Sequence, residues 1–155
     1  MTRSNTVHDT FVVERGYDVP PDQVFKAWSE PALKARWFAG SSDALGAGYE
    51  LDFRIGGHEL NRGGPLGGPV YTYDAQIRDI VPRERIVYTY EMYADEARLS
   101  VSVATVEFRA DGDRTHLVVT EQGVFLDGHD TSAQREEGTR SLLASLGAEL
   151  DGTAA

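Results

Sequence analysis

A run of strand-like segments, closed by the one long helix-like segment in the chain, constrains the fold more than any other feature. Residues 70–122 divide into four consecutive stretches of β character. Val70 to Val81 puts Tyr71, Tyr73, Ala75 and Ile77 on one face, and Arg85 to Tyr93 does the same with Ile86, Tyr88, Tyr90 and Met92. Leu99 to Arg109 is apolar on both faces, as expected of a central strand. Asp111-Gly112-Asp113 is a hairpin turn, and Arg114 to Gln122 then places Thr115, Leu117, Val119 and Glu121 on one side. Asp130 to Leu150 reads as a helix. Thr131 and Gln134 stand at capping-box spacing, and Leu142, Leu143, Leu146 and Leu150 form an inward stripe. A curved antiparallel sheet crossed by one long helix cannot close tightly along its whole length. The pattern therefore predicts an apolar hollow between the two.

The first third of the chain supplies the other elements. Phe11 to Val19 is rich in β-formers and ends at Pro20-Pro21, a first strand. Asp22 opens a short helix with Val24, Phe25 and Trp28 at helical spacing, and Pro31 breaks it and starts a second with Leu33, Trp37 and Phe38 on one side. Tyr49 to Ile55 alternates as a half-buried strand, and Gly56-Gly57 turns the chain into a short strand around His58–Arg62. A Gly/Pro loop, Gly63 to Pro69, follows. The expected fold class is α+β: a curved antiparallel sheet of six or seven strands, two short helices after the first strand, and a long C-terminal helix. One domain over residues 1–155, with an ordered core of about 10–150, suits the length.

Charge narrows the partners. With 15 Lys+Arg against 25 Asp+Glu the net charge is -10, and no basic run offsets it. Phosphate backbones and anionic membrane surfaces repel such a chain, so neither nucleic acid nor membrane is an expected partner. The absence of cysteine removes thiolate chemistry and Cys-ligated zinc, and it suits a cytoplasmic location. The polar start, Met1 to Asn5, is unlike a signal peptide. Either a monomer or a homodimer is compatible with the pattern, and no cofactor is expected.

Five segments, in order, resemble the START-like helix-grip superfamily (SRPBCC), and more narrowly its branch named after a co-chaperone ATPase-activator homologue. They are Val19 to Trp28, Pro31 to Phe38, Asp52 to Gly57, Ile80 to Thr89 and Thr115 to Gly123, spanning roughly residues 10–150. The resemblance implies the helix-grip fold and no single reaction, because the superfamily includes lipid and hormone carriers, polyketide cyclases, resistance proteins and a co-chaperone domain. Two departures stand out. Relatives often carry Gly-Trp in the last helix where this chain has Gly138-Thr139, and aromatic residues after the Gly-Gly pair where it has Glu59 and Asn61. Both imply a larger or more polar hollow.

Candidate site residues follow from the faces. Glu121 ends the apolar row of its strand, so in a hollow it is placed for general acid/base work, and at a solvated strand end it is an ordinary ion-pair partner. Tyr71, Tyr73, Tyr88 and Tyr90 offer phenols and aromatic walls, with Tyr73 and Tyr90 ranked first as liners and cross-strand packing as their plainer role. Trp37 and Phe38 are rim or core, Phe53 shares the face of its alternating strand, and Trp28 reads as core. Arg54, Arg62 and Arg135 are the available cations, of which Arg135 sits with Leu142 toward the inner side of the last helix. His58-Glu59 lacks the second histidine of a zinc motif, having Arg62 there, so no metal site is expected.

The function favoured is binding of a small, largely apolar, aromatic molecule between sheet and helix. The first alternative is a cyclase- or dehydratase-type enzyme with Glu121 as general base and a Tyr or Arg stabilising an enolate. The second is a co-chaperone-like interaction module, which the absence of an exposed apolar stripe disfavours. Three observations discriminate. A wholly apolar hollow points to a carrier, a buried Glu121 bonded to a tyrosine beside an open hollow points to an enzyme, and a collapsed core points to the module.

Overall fold

Seven antiparallel strands form one sheet in the order β1-β7-β6-β5-β4-β3-β2. The strands are β1 (Thr6–Tyr17), β2 (Tyr49–Leu51), β3 (His58–Gly63), β4 (Tyr71–Val81), β5 (Arg85–Ala94), β6 (Ala97–Asp111) and β7 (Arg114–Leu126). The helices are α1 (Pro21–Ser29), α2 (Pro31–Phe38) and α3 (Ser132–Ala154). The structure is a computed structural model that describes residues 4–40 and 46–154, so the Met1–Arg3 start read from the sequence lies outside the described residues. This is the α+β helix-grip expected.

Prolines set the first two helices. Pro21 opens α1, where a missing N–H costs nothing, and Asp22 favours the positive end of the helix dipole. Glu30 precedes Pro31 and is held extended, at φ −87° and ψ 119°, which stops α1 and caps α2 with no linker between them. The two helices are tied by the Trp37 indole N–H, which donates to the Ala27 carbonyl at 3.0 Å. The start of α3 carries the cap expected, with the Gln134 N–H donating to Thr131 Oγ1 at 3.1 Å.

Hairpin registers decide which side chains face α3. Bulges at Arg78 of β4, between Ile77 and Asp79, and at Leu99 of β6, opposite Met92/Tyr93, bend β4 and β6, and with the sheet's twist they curve it around the helices. The core lies between: Val13, Tyr17, Leu117, Val119, Val106 and Phe108 from the sheet meet Leu143, Leu146 and Leu150 from α3 and Val24 and Trp28 from α1. The Tyr17 hydroxyl donates to the Leu143 carbonyl at 2.8 Å, locking α3 to β1.

Three strand expectations are corrected. The alternation of Tyr49 to Ile55 does not persist as a strand: β2 ends at Leu51, the Arg54 N–H turns back onto the Asp52 carbonyl at 3.0 Å, and Ile55 is left exposed. β6 is interior to the sheet yet buried on one face only, with Val101 and Val103 open to solvent, because all three helices lie on the other side. The first strand begins earlier and stops at Tyr17, and β7 runs on to Leu126 because β1 pairs with it along its full length, Thr6 opposite Leu126 and Tyr17 opposite Thr115.

Candidate functional site

Cross-strand rows build the site. One inward row runs Gly123, Ser102, Tyr90, Ala75, Glu59 and Leu51, and the next runs Phe125, Ser100, Met92, Tyr73, Asn61 and Tyr49. Glu121 pairs with Ala104, and Ala104 with Tyr88. Small residues (Gly123, Ser102, Ala75, Ala104) stand among large ones in these rows. Opposite them α3 presents Gln134, Arg135, Gly138, Thr139 and Leu142, one face by helical spacing. A Cβ at Gly138 would meet nothing within 4 Å. The result is a hollow of about 380 Å³, within the range of small-molecule sites.

Its walls are aromatic on one side and polar at one pole. Trp28, Trp37, Phe38, Tyr73, Tyr88 and Tyr90 all line it. Their rings run edge to face from Trp28–Trp37 at 4.9 Å through Phe38–Tyr73 at 5.0 Å, and Tyr73–Tyr90 follow, tilted, at 4.9 Å. At the polar pole, Glu121 is 4% exposed. The Tyr90 hydroxyl donates to Glu121 Oε1 and accepts from Arg135 Nη1 at 2.8 Å. Arg135 Nη2 donates to Ser100 Oγ and to Asp130 Oδ2, both at 2.8 Å, while Nη1 stands 3.9 Å from the Glu121 carboxylate.

Burial pushes the Glu121 carboxyl up, and the Tyr90 hydroxyl and Arg135 charge offset this only in part. Burial and the neighbouring carboxylate push the Tyr90 phenol up as well, so it stays a donor at neutral pH. Burial also works against the charge of Arg135, but Tyr90 and Asp130 outweigh it and hold the guanidinium protonated. The set can donate a hydrogen bond, accept one, and exchange a proton at Glu121.

A second buried cluster backs the aromatic wall. Lys34 Nζ meets Glu59 Oε2 at 2.7 Å, and the same carboxylate accepts from Tyr49 at 2.5 Å and from Tyr73 at 3.3 Å. The ammonium lies over the rings of Trp28, Trp37 and Phe38, at 4.8, 5.5 and 4.3 Å from their centres. Burial pulls the Lys34 amine down, with Glu59 opposing. The polar pair after Gly-Gly is thus half inside the site: Asn61 lines the hollow, and Glu59 stands behind Tyr73.

Of the residues singled out from sequence, the structure brings Glu121, Trp37, Phe38, Tyr73, Tyr90, Arg135 and Leu142 to one hollow. Two do not belong. Phe53 leaves the sheet after β2 ends and packs edge-on against Phe25 at 5.8 Å, away from the hollow. Tyr71 is the first residue of β4, 41% exposed beside the Gly64 loop. Trp28 is core as expected and also wall, and its buried indole N–H has no acceptor among the described residues. Tyr88 was legible from its face. Met92 shares that face; Asp130 and Gln134 were not legible as liners, since a loop residue and a helix's first turn carry no periodic signal. Arg54 pairs with Asp52 on the surface at 2.8 Å and Arg62 is exposed, so neither serves the site. Among the described residues no group of three or more His, Asp or Glu is arranged for a metal ion, and no helix is long and apolar enough to cross a membrane.

Comparison with known proteins places this geometry. A crystal structure of the Mll3558 protein from Rhizobium loti is 46% identical, over 94% of this chain and 99% of that one, with a TM-score of 0.87. A protein from Rhizobium leguminosarum is 43% identical over 97% and 99%, with a TM-score of 0.91. CalU16 from Micromonospora echinospora shares the fold at 18% identity over 96% and 87%, with a TM-score of 0.62. No curated protein matches. The family profile described as activator of Hsp90 ATPase homolog 1-like protein matches residues 18–151, so the chain belongs to that family, on the START-like helix-grip fold its strands and last helix build.

Proposed function

We propose that the protein binds a small aromatic molecule in the hollow between its sheet and α3. The observation that carries this reading is a hollow of about 380 Å³ walled by six aromatic side chains, with a single buried polar pole. Burial of ~300 Å² of ligand surface at ~25 cal/mol per Å² contributes several kcal/mol before ordering costs, enough for micromolar binding. The hollow is not wholly apolar, so a plain lipid carrier fits it poorly. Nor is it collapsed, which argues against a purely protein-facing module.

Thermal-shift screening against aromatic polyketides, flavonoids, fatty acids and sterols, with native mass spectrometry of the protein as isolated, tests it. Aromatic compounds should raise the melting temperature more than fatty acids do. If no compound raises it and no molecule is retained, the reading fails.

A second reading, which keeps the binding and adds a reaction, has the support of the observation named above as pointing to an enzyme. The Tyr90 hydroxyl bridges a buried Glu121 and Arg135 beside an open hollow, which is the arrangement of a general base next to an oxyanion donor. Catalysis of the cyclase or dehydratase kind would have Glu121 take a proton from a carbon next to a carbonyl, with Tyr90 or Arg135 stabilising the enolate. Solvent deuterium should then enter that position of a bound aromatic ketone with the wild-type protein and not with Glu121→Gln. Exchange at equal rates in both removes Glu121 as the base.

A further inference from the structure

We propose that the ligand of the hollow is a monocation, a protonated aromatic amine, whose ammonium group pairs with Glu121 against the tyrosine wall. The proposal rests on the binding reading above and names the chemical class of that ligand.

The argument begins with charge. Five charged side chains lie in or behind the wall: Lys34, Glu59, Glu121, Asp130 and Arg135. Lys34 and Glu59 meet at 2.7 Å and neutralise each other. Asp130 engages Arg135 at 2.8 Å, leaving Glu121 with the same guanidinium at 3.9 Å and a neutral phenol. Three carboxylates therefore face two cations, and the surplus negative charge belongs to Glu121. A carboxylate 4% exposed cannot leave that surplus to bulk water. In the empty site a proton relieves it, which is the sense in which burial shifts Glu121. In the filled site a ligand cation relieves it, and the net buried charge is zero in both cases.

The walls suit a cation as well as an aromatic ring. Lys34 already lies over Trp28, Trp37 and Phe38, and Arg135 lies 5.5 Å from the centre of Tyr90. Tyr73 and Tyr88, between those ends, have no such cation over them among the described residues and both line the hollow. An electron-rich ring face beside an unneutralised carboxylate is how proteins hold ammonium groups. An anionic ligand has no equivalent place. The Arg135 guanidinium is committed to Tyr90, Ser100 and Asp130, each at 2.8 Å.

Calorimetry with the full-length protein and two probes of matched shape tests this: tryptamine, a cation, and tryptophol, in which a hydroxyl replaces the ammonium. Tryptamine should bind about tenfold more tightly at neutral pH, and Glu121→Gln should erase that preference. A second readout needs no variant. The titratable and charged groups facing Glu121 are Tyr88 and Tyr90 from β5, Arg135 from α3 and Asp130 from the loop before it. Burial holds both phenols neutral. As pH rises through the Glu121 titration the carboxylate forms, so tryptamine affinity should rise while tryptophol affinity does not. Equal or tighter binding of tryptophol, a preference that survives in Glu121→Gln, or a flat pH profile for tryptamine overturns the proposal. If tryptophol binds and tryptamine does not, only this inference falls. If neither binds, nor any compound of the wider screen, the binding reading falls with it.

Discussion

At the scale of single residues, the Lys34–Glu59 pair puts two opposite charges in the interior, which costs desolvation on both. Both side chains are about 5% exposed or less, and the 2.7 Å contact between them is reinforced by two tyrosine hydroxyls and three aromatic faces. Removing one partner strands the other charge in the interior. Lys34→Met and Glu59→Gln should each lower unfolding free energy by ~3–5 kcal/mol. The double variant should cost clearly less than the sum of the singles. A denaturant double-mutant cycle with additive losses would show that the pair is not coupled. The sequence made Glu59 visible as a polar residue where relatives have aromatics and as half of an incomplete zinc motif, not as the partner of a buried lysine. Lys34 was invisible, because a lysine on an amphipathic helix ordinarily faces water.

At the scale of elements, α3 decides the size of the hollow through Gly138 and Thr139. Thr139 loses little on replacement, since its hydroxyl bonds only the Arg135 carbonyl at 3.0 Å, the i−4 position of its own helix. Thr139→Trp restores the large wall residue common at this place in the family and projects it into the space facing Tyr88 and Tyr90. Ligand affinity should fall more than about tenfold, with melting temperature unchanged or higher because a void is filled. Binding undiminished in this variant would place the ligand elsewhere. Element identity itself was readable: the alternation in β4, β5 and β7 is a strong periodic signal, and α3 showed itself by its cap and by Leu142, Leu143, Leu146 and Leu150 in its second half. Periodicity misled at Tyr49–Ile55, where seven alternating residues yield a three-residue strand. The break there comes from backbone hydrogen bonds, Gly57 N–H to the Arg54 carbonyl at 2.8 Å and Gly56 N–H to the Ile77 carbonyl at 2.7 Å, which no pattern of side chains announces.

The molecule as a whole should record the Glu121 environment in its pH dependence. The folded pKa of this carboxyl lies above its ordinary value of 4.5. An acid raised on folding stabilises the native state while both states are protonated, and that contribution is lost as pH climbs from the ordinary value through the folded one. The difference in unfolding free energy between wild type and Glu121→Gln should therefore shrink or reverse from about pH 4.5 upward, by at most ~1.4 kcal/mol per pH unit. Lys34 acts in the opposite sense, since its amine is pulled down on folding. Its effect spans the interval from the lowered folded value up to 10.5 and cancels in the wild-type-minus-variant difference. A difference that does not vary with pH would show that Glu121 titrates as it does in the unfolded chain.

The linear order of residues was enough to determine the fold class, the inward faces of the central strands and the last helix, and most of the wall of the hollow. These follow from local periods of two and 3.6, which a chain carries in its own order. Tertiary structure alone decided that Tyr90 bridges Glu121 to Arg135, that Lys34 finds Glu59 across 25 positions, and that Tyr71 and Phe53 stay outside. Such pairings depend on the register between strands and on where the helix lies over them. Sheet curvature, to which two bulges contribute, turned an apolar face into a hollow with Glu121 buried at its polar pole.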